Sequence, residues 1–362
     1  MFADFACFFP FIFRKMSQSE PSEYFIKTPK IFGAIKKDIA KLWGIKQKLT
    51  HFPGTHPRAL CRTDLVGLQK YAVTEKTDGV RFSLLLTTID NKLVAVLVNR
   101  LFQMYQLQII APTNYFQGTL LEGELIQEQN FLKLLLFDIT ALSGKPVHQF
   151  HFFKRYEMLN NLCVSSQDWN YENVFADRDK QKTPIENRME ELAQNHRIIA
   201  VPNKKQCFFI YSKRFYVYKG FMNSLLRSCK DLKHETDGFV FTPINEKSTA
   251  QSLKWKYKPT IYLEIQFGAL MFCRLAGLKQ SFGHSFPTAQ FVTDDTFLSY
   301  MHFEGVLEIS VKLKSPPQTF LLSVMRPRKN KRLANDLKTI QSVFVEVQEN
   351  IEIEELLQGS IA

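Results

Sequence analysis

The alternation of hydrophobic and polar positions changes character several times along the chain. Residues 31 to 50 carry apolar side chains at helical spacing with basic residues between them, which predicts one amphipathic helix. His51-Phe-Pro-Gly-Thr-His-Pro-Arg-Ala-Leu60 follows, and its paired Pro and Gly mark an irregular loop. From Tyr71 to Asp138 short apolar runs alternate with turns near Asn91 and Gly118 and a polar gap at 127–130, the pattern of strand after strand. Residues 146 to 196 are polar and mixed, with helical patches at 155–162 and 186–195, and strands resume at 207–218 and 238–242.

Beyond Pro259 the segments Tyr262 to Phe272, Gly305 to Leu313 and Phe320 to Met325 read as strands of a smaller β unit. A final helix fits Asp336 to Leu357, with Asn335 as its N-cap. Glu352, Glu354 and Glu355 fall late in that helix, where they oppose the helix dipole and favour fraying. The pattern therefore predicts an α+β chain with four parts: an extension over 1–30, a large domain over 31–258, a β domain over 259–335, and a helix and tail over 336–362. The extension is expected to be disordered, and Met16 is an alternative start within it.

Composition narrows the partners. At 362 residues the chain can bury two substantial cores. Lys+Arg 47 against Asp+Glu 35 leaves a net charge of +12, with a pI near 9.3, a surplus that favours polyanions such as nucleotides and RNA. Six scattered cysteines without a Cys-x-x-Cys pair argue against a zinc site or a disulfide framework and for a reducing compartment. The apolar start, Met1 to Phe13, contains Asp4 and is too short to span a bilayer, so no membrane partner is expected.

The chemistry gathers around Tyr71 to Phe82, whose core is Lys76-Thr77-Asp78-Gly79-Val80-Arg81. Asp-Gly between two apolar runs is a hairpin signal, which would leave Lys76 on a solvated turn. Downstream lie Thr119-Leu-Leu-Glu-Gly-Glu-Leu-Ile126, Phe131-Leu-Lys-Leu-Leu-Leu-Phe-Asp138, His234-Glu-Thr-Asp-Gly238 and Ser252-Leu-Lys-Trp-Lys256. Each alone is an ordinary acidic turn or Lys-rich edge strand. Together they supply what a lysine nucleophile needs. At its usual pKa of about 10.4, roughly one lysine in a few thousand is neutral at pH 7, so neighbouring cations such as Lys254 and Lys256 would favour the reactive amine of Lys76. The same ammonium groups suit a triphosphate, Glu124 and Asp237 suit Mg²⁺ or Mn²⁺, Phe137 suits a base, and Arg81 suits ribose or phosphate.

In that order these segments resemble the covalent nucleotidyltransferase superfamily of mRNA capping guanylyltransferases and ATP-dependent polynucleotide ligases. Lys76-Thr-Asp-Gly-Val-Arg81 is similar to its Lys-x-Asp-Gly-x-Arg motif, and Leu121–Leu125, Phe137-Asp138, Thr236-Asp-Gly238 and Leu253-Lys-Trp-Lys256 resemble the next four motifs. Glu122 stands where the family has its first Asp. Phe52-Pro-Gly-x-x-Pro57, Thr-Asp-Gly at 236–238, Lys-Trp-Lys at 254–256 and Arg328-Lys-Asn-Lys331 with Asn335 resemble the capping branch, although Asn330 replaces an Asp and Tyr262 stands where an Asp usually follows.

The resemblance implies a nucleotidyltransferase domain of antiparallel sheets with flanking helices, followed by a C-terminal OB-fold β-barrel. It implies GTP as substrate, a GMP adduct on Lys76, and transfer to the 5′-diphosphate end of RNA. Catalytic roles fall on Lys76, Arg81, Lys254 and Lys256; nucleotide contacts fall also on Thr77, Arg100, Glu124, Phe137, Lys213, Asp237, Arg328 and Lys331; the metal falls on Glu124 and Asp237. The matched parts leave no stretch for a triphosphatase or a methyltransferase, so those activities are expected on separate proteins. The phosphorylated tail of RNA polymerase II is a further expected partner. The nucleus is the expected compartment, with the cytoplasm the alternative for a viral or plasmid-borne enzyme. The competing functions are an ATP-dependent DNA or RNA ligase and an inactive relative that binds RNA or polymerase.

Overall fold

In the computed structural model the two apolar runs that flank Asp78-Gly79 belong to different sheets, so the hairpin expected there does not form. The structure describes residues 29–54, 56–128, 131–165, 197–200, 208–266, 270–300, 302–315, 319–328 and 333–361. Its longer strands begin with β1 (Tyr71–Thr77), β2 (Val80–Ile89), β3 (Lys92–Asn99), β4 (Thr119–Glu128) and β5 (Phe131–Leu142). They continue with β6 (Phe208–Ser212), β7 (Thr236–Pro243) and β8 (Leu253–Lys256). The last group is β9 (Thr260–Gln266), β10 (Leu270–Leu275), β11 (Leu278–Ser281), β12 (Gln290–Thr293), β13 (Gly305–Ser315) and β14 (Thr319–Pro327). The longer helices are α1 (Pro29–Leu42), α2 (Phe152–Leu162), α3 (Tyr218–Lys230), α4 (Leu337–Glu349) and α5 (Ile353–Ile361).

The first sheet runs in the order Arg58–Ala59, β8, β7, β1, Tyr216–Val217. The second runs Val164–Ser165, β6, β5, β4, β2, β3, Met104–Leu107. In β2 the continuous run Leu84-Leu85-Leu86 is explained by cover on both faces. Leu84 and Leu86 enter one apolar cluster, whereas Leu85 enters another with Ile35 and Ile39 of α1. That helix ends at Leu42, and Gly44 follows with φ +69°, so it stops well short of the predicted residue 50.

The third sheet has the order β11-β10-β9-β13-β14-β12, with β12 parallel to β14 and the other pairs antiparallel. Its core holds Ile261, Leu263, Leu307, Ile309, Phe320 and Leu322, capped by Ile340, Val343 and Phe344 of α4. The stretch read as one strand over 262–272 is the hairpin β9–β10. The single final helix is two, divided at Asn350, which takes φ +45°. Asp336, not Asn335, caps α4 by accepting from the Lys338 N–H; the Asn335 side chain instead accepts from the Tyr262 N–H at 2.6 Å.

The break lets the C-terminal segment serve both bodies of structure. While α4 covers the third sheet, α5 inserts Leu356 among Val73, Phe239 and Trp255 of the first. Arg62 donates to the Glu349 carbonyl and to Glu355 at 2.7 Å each, and the Trp255 indole donates to the Ile351 carbonyl at 2.8 Å. One helix is not anticipated by the sequence pattern: after a kink at Lys219 and Gly220, α3 buries Met222 and Leu225 at helical spacing. The helical patch at 186–195 and the extension up to residue 28 lie outside the described residues. Among those described, no helix is long and apolar enough to cross a membrane.

Candidate active site

Lys76, Gly238 and Lys256 form one row across β1, β7 and β8, because Lys76 pairs with Gly238 and Gly238 with Lys256. Two residues along each strand, Thr74, Val240 and Lys254 form a second row on the same face. In β8 the buried residues are Leu253 and Trp255, so Lys254 and Lys256 share the opposite face. The register shifts between Thr236 and Gly238, which makes Asp237 the extra residue of a bulge. Its carboxylate accepts from Lys76 Nζ at 2.7 Å and lies 3.0 Å from Lys256 Nζ. Burial acts to raise the Asp237 pKa, but the two ammonium groups outweigh it and hold the carboxyl below its usual range.

The row closes only because residue 238 is glycine. Its φ is +151°, and a Cβ there would fall 1.9 Å from the Trp255 carbonyl oxygen. Gly79 answers the same need on the other side: a Cβ would lie 2.7 Å from Glu124 Cγ and from the Leu125 carbonyl oxygen. The backbone turn at 78–79 can therefore lie directly on β4, where the Gly79 N–H donates to Glu124 Oε1 at 3.3 Å.

From the second sheet, Arg81 of β2 reaches Glu122 of β4, with Nη2 to Oε2 at 3.0 Å, and Ser83 donates to the other Glu122 oxygen at 2.8 Å. The Arg81 guanidinium stands 5.3 Å from the centre of the Phe137 ring. Phe137 is the extra residue of a second bulge, between the pairs Glu122–Asp138 and Gly123–Leu136, which turns its ring toward Arg81. Arg100 bonds His56 at 2.6 Å, and burial together with the nearby Arg81 charge lowers its pKa to about 10. Burial raises the carboxyls of Glu122 and Glu124; Lys213 and Lys76 oppose the rise at Glu124.

Lys76, Arg81, Arg100, Glu124, Phe137, Asp237, Lys254 and Lys256 thus meet along the junction of the two sheets. Lys213 and Thr77 are buried beneath it: Lys213 Nζ donates to the Glu75 carbonyl at 2.7 Å and to Thr77 Oγ1 at 2.8 Å, and lies 3.0 Å from the Glu75 carboxylate. Asp138 is tied down by Arg155 at 2.8 Å and does not join the group. Arg328 of the third sheet's margin lies 2.9 Å from Glu308 and 5.1 Å from the Tyr262 ring. Lys331 and Asn330 lie outside the described residues.

Sequence reading missed the group that joins the third sheet to this cleft. Arg326 of β14 donates to Asp78, in the turn after Lys76, and to Glu308 of β13 at 2.8 Å. Burial would raise the Glu308 carboxyl, but its bonds to Arg326 and Arg328 depress it to about 2. Because the folded value lies below the ordinary 4.5, the stability that Glu308 contributes is complete above about pH 4.5 and lost as pH falls through about 2. The stability gap between wild type and Glu308→Gln, measured by denaturant at a series of pH values, should shrink across that window. An equal gap at pH 7 and pH 2 would show that the Glu308 charge plays no part.

A family model described as mRNA capping enzyme, catalytic domain matches residues 26–206. The mRNA-capping enzyme subunit alpha of Neurospora crassa is 21% identical over 391 aligned positions, covering 93% of this chain and 91% of that protein. The mRNA-capping enzyme of Danio rerio is 25% identical over 218, covering 57% of this chain and 32% of that protein, so the chain spans less than half of that longer relative. Among solved structures, a Lig E DNA ligase aligns with 76% of this chain and 100% of its own at 14% identity and a TM-score of 0.30.

Proposed function

The chain belongs to the mRNA capping enzyme catalytic-domain family, and on that premise we propose that it is a GTP:RNA guanylyltransferase whose nucleophile is Lys76. The observation that carries the reading is the convergence of Lys76 and Lys256 on the bulged carboxylate of Asp237. That carboxylate holds the Lys76 amino group in place and sets a second ammonium group beside it. In the first step the neutral Lys76 amine attacks the α-phosphorus of GTP. A P–N bond forms, the bond to the bridging oxygen breaks, pyrophosphate leaves, and GMP remains on the lysine. In the second step the terminal phosphate oxygen of a 5′-diphosphate RNA attacks the same phosphorus, which frees the lysine and gives GpppRNA.

Lys254 and Lys256 supply fixed positive charge for the α-phosphate, and Arg81 and Arg100 suit the sugar and phosphate oxygens. Phe137, held beside Arg81, offers a stacking face to guanine. Glu124 and Asp237 are oxygen donors on either side of Lys76, the kind of pair that holds a hard divalent cation together with substrate phosphates. They would hold Mg²⁺ or Mn²⁺, which supplies charge neutralisation at the phosphates.

The division of labour follows the proposed domains, a nucleotidyltransferase domain at 31–258 and an OB-fold domain at 259–335. The third sheet's order and its parallel β12–β14 pair support the OB reading, since one interrupted strand, β11 plus β12, would join both margins of the sheet. Arg328 and Lys331 are assigned to the outer phosphates, reached by movement of this domain. The nucleus, the polymerase tail and separate triphosphatase and methyltransferase proteins complete the proposal.

Incubation with α-labelled GTP or ATP and Mg²⁺ or Mn²⁺ tests it. Acid-labile protein label from GTP alone is the expected result. Label from ATP alone would make the chain a ligase, and no label from either nucleotide would make it an inactive relative.

A further inference from the structure

Glu346 is the carboxylate that the mechanism above leaves out. It lies on α4 beside the buried stripe of Ile340, Val343 and Val347, and it is itself 8% exposed. Neither of its carboxylate oxygens makes a hydrogen bond. A buried, unbonded carboxylate is expensive unless a counter-charge faces it. The surroundings supply one. Helix α4 packs against the Arg58–Ala59 strand as well as the third sheet, and that strand pairs with β8, Ala59 opposite Lys254.

The charges around it are few. Burial raises the Glu346 carboxyl above its usual range; Lys254 and Lys256 of β8 oppose that rise most strongly, Lys76 of β1 adds to them, and Asp237 of β7 works against them. Cys61, which precedes the Arg62–Leu65 turn, also feels the Glu346 charge. Of the other charged groups on elements packed against α4, Lys312 and Lys314 of β13 are exposed to solvent, and the rest are committed elsewhere. Arg58 holds Asp64, Glu264 of β9 holds Lys279, Glu308 of β13 holds Arg326 and Arg328, and Arg274 of β10 bonds the Gly277 carbonyl. Lys254 is in the complementary position. Burial and the adjacent Lys256 favour loss of its proton, and Glu346 is the foremost group favouring its retention.

We infer that Glu346 is a positioning residue, the buried counter-charge that the C-terminal helix sets behind Lys254 of β8. Removing the carboxylate leaves two ammonium groups side by side on a half-buried strand face, and Lys254 is the one that yields its proton. The phosphate-binding face of β8 is thereby made to depend on a helix from the far end of the chain.

Competitive labelling of the nucleotide-free protein with trace acetic anhydride, read peptide by peptide across pH, reports the protonation of each lysine without any assay of function. In Glu346→Gln the midpoint for Lys254 should fall by about one pH unit while surface lysines such as Lys154 keep theirs. Glu346→Asp, which keeps the charge, should stay near wild type. Glu346→Met fills the site without charge and should repeat the glutamine result if the amide upsets folding. An unchanged Lys254 midpoint in the uncharged variants, or an equal fall in the aspartate variant, would overturn the assignment.

The inference deepens the guanylyltransferase reading in a second measurement alone. In Glu346→Gln the KM for GTP in lysine–GMP formation should rise several-fold toward alkaline pH with little change near pH 7. If the chain takes no GTP, the labelling result stands by itself and only the proposed function fails.

Discussion

Replacing Lys76 with alanine is expected to abolish covalent labelling by GTP and leave the fold intact. The expected loss is complete, because no other described lysine sits against the Asp237 carboxylate except Lys256, whose row places it across Gly238. The side chain is half-buried at the end of β1, so its truncation opens no core cavity. Lys76→Arg should fail equally, since a guanidinium stays protonated and offers no lone pair. Two measurements check this: acid-labile label on the protein after incubation with α-labelled GTP, and the thermal midpoint. Persistent label in Lys76→Ala would remove Lys76 from the mechanism. Loss of label accompanied by unfolding would leave its role unproven by this route, and Lys76→Met, with a similar stem, then separates charge from packing.

Replacing Arg155 with methionine should cost about 3–5 kcal/mol of folding free energy. Arg155 is 1% exposed, and its guanidinium holds Asp138 at 2.8 and 3.1 Å and the carbonyls of Phe150 and Glu246 at 2.6 and 3.1 Å. Without it the Asp138 carboxylate keeps the Ile139 N–H and the Ser248 hydroxyl but loses its counter-charge. The double variant Asp138→Leu with Arg155→Met removes both charges and should recover a large part of the loss. Equilibrium denaturation of wild type, both single variants and the double variant gives the coupling directly. If Arg155→Met loses less than about 1 kcal/mol, the pair is not a structural clamp. Phe137 and Asp138, adjacent in sequence, part company at the bulge: the ring stands beside Arg81 and the carboxylate accepts from Arg155 of α2.

Local patterning accounts for what was legible in the residues. The strands from Tyr71 to Asp138 announce themselves because their apolar runs are bounded by turns at Asn91 and Gly118, and both survive in the structure. Period-two alternation placed Lys254 and Lys256 on one face, where they are found. Asp-Gly at 78–79 was legible as a change of direction but not as a passage between sheets. Both outcomes use the same glycine, and the choice depends on strands that lie far away in sequence. The C-terminal helix misled for a similar reason: its apolar periodicity continues past residue 350, and only packing against two different sheets requires the break at Asn350.

Taken by itself, the sequence determined the order of motifs, the α+β class, the basic surplus and the identity of the lysine that the family resemblance singles out. Those properties reside in residue types and short spacings. Tertiary structure alone decided the rest. It placed Asp237 and Phe137 on bulges that swing their side chains into the cleft, an outcome of register between strands. It brought Arg326 onto Asp78 across 248 positions and packed α4, which carries Glu346, against the strand beside β8. Charge pairing over such distances has no periodicity for a sequence to display, because it is fixed by where sheets and helices pack and by which buried charges then have to be neutralised.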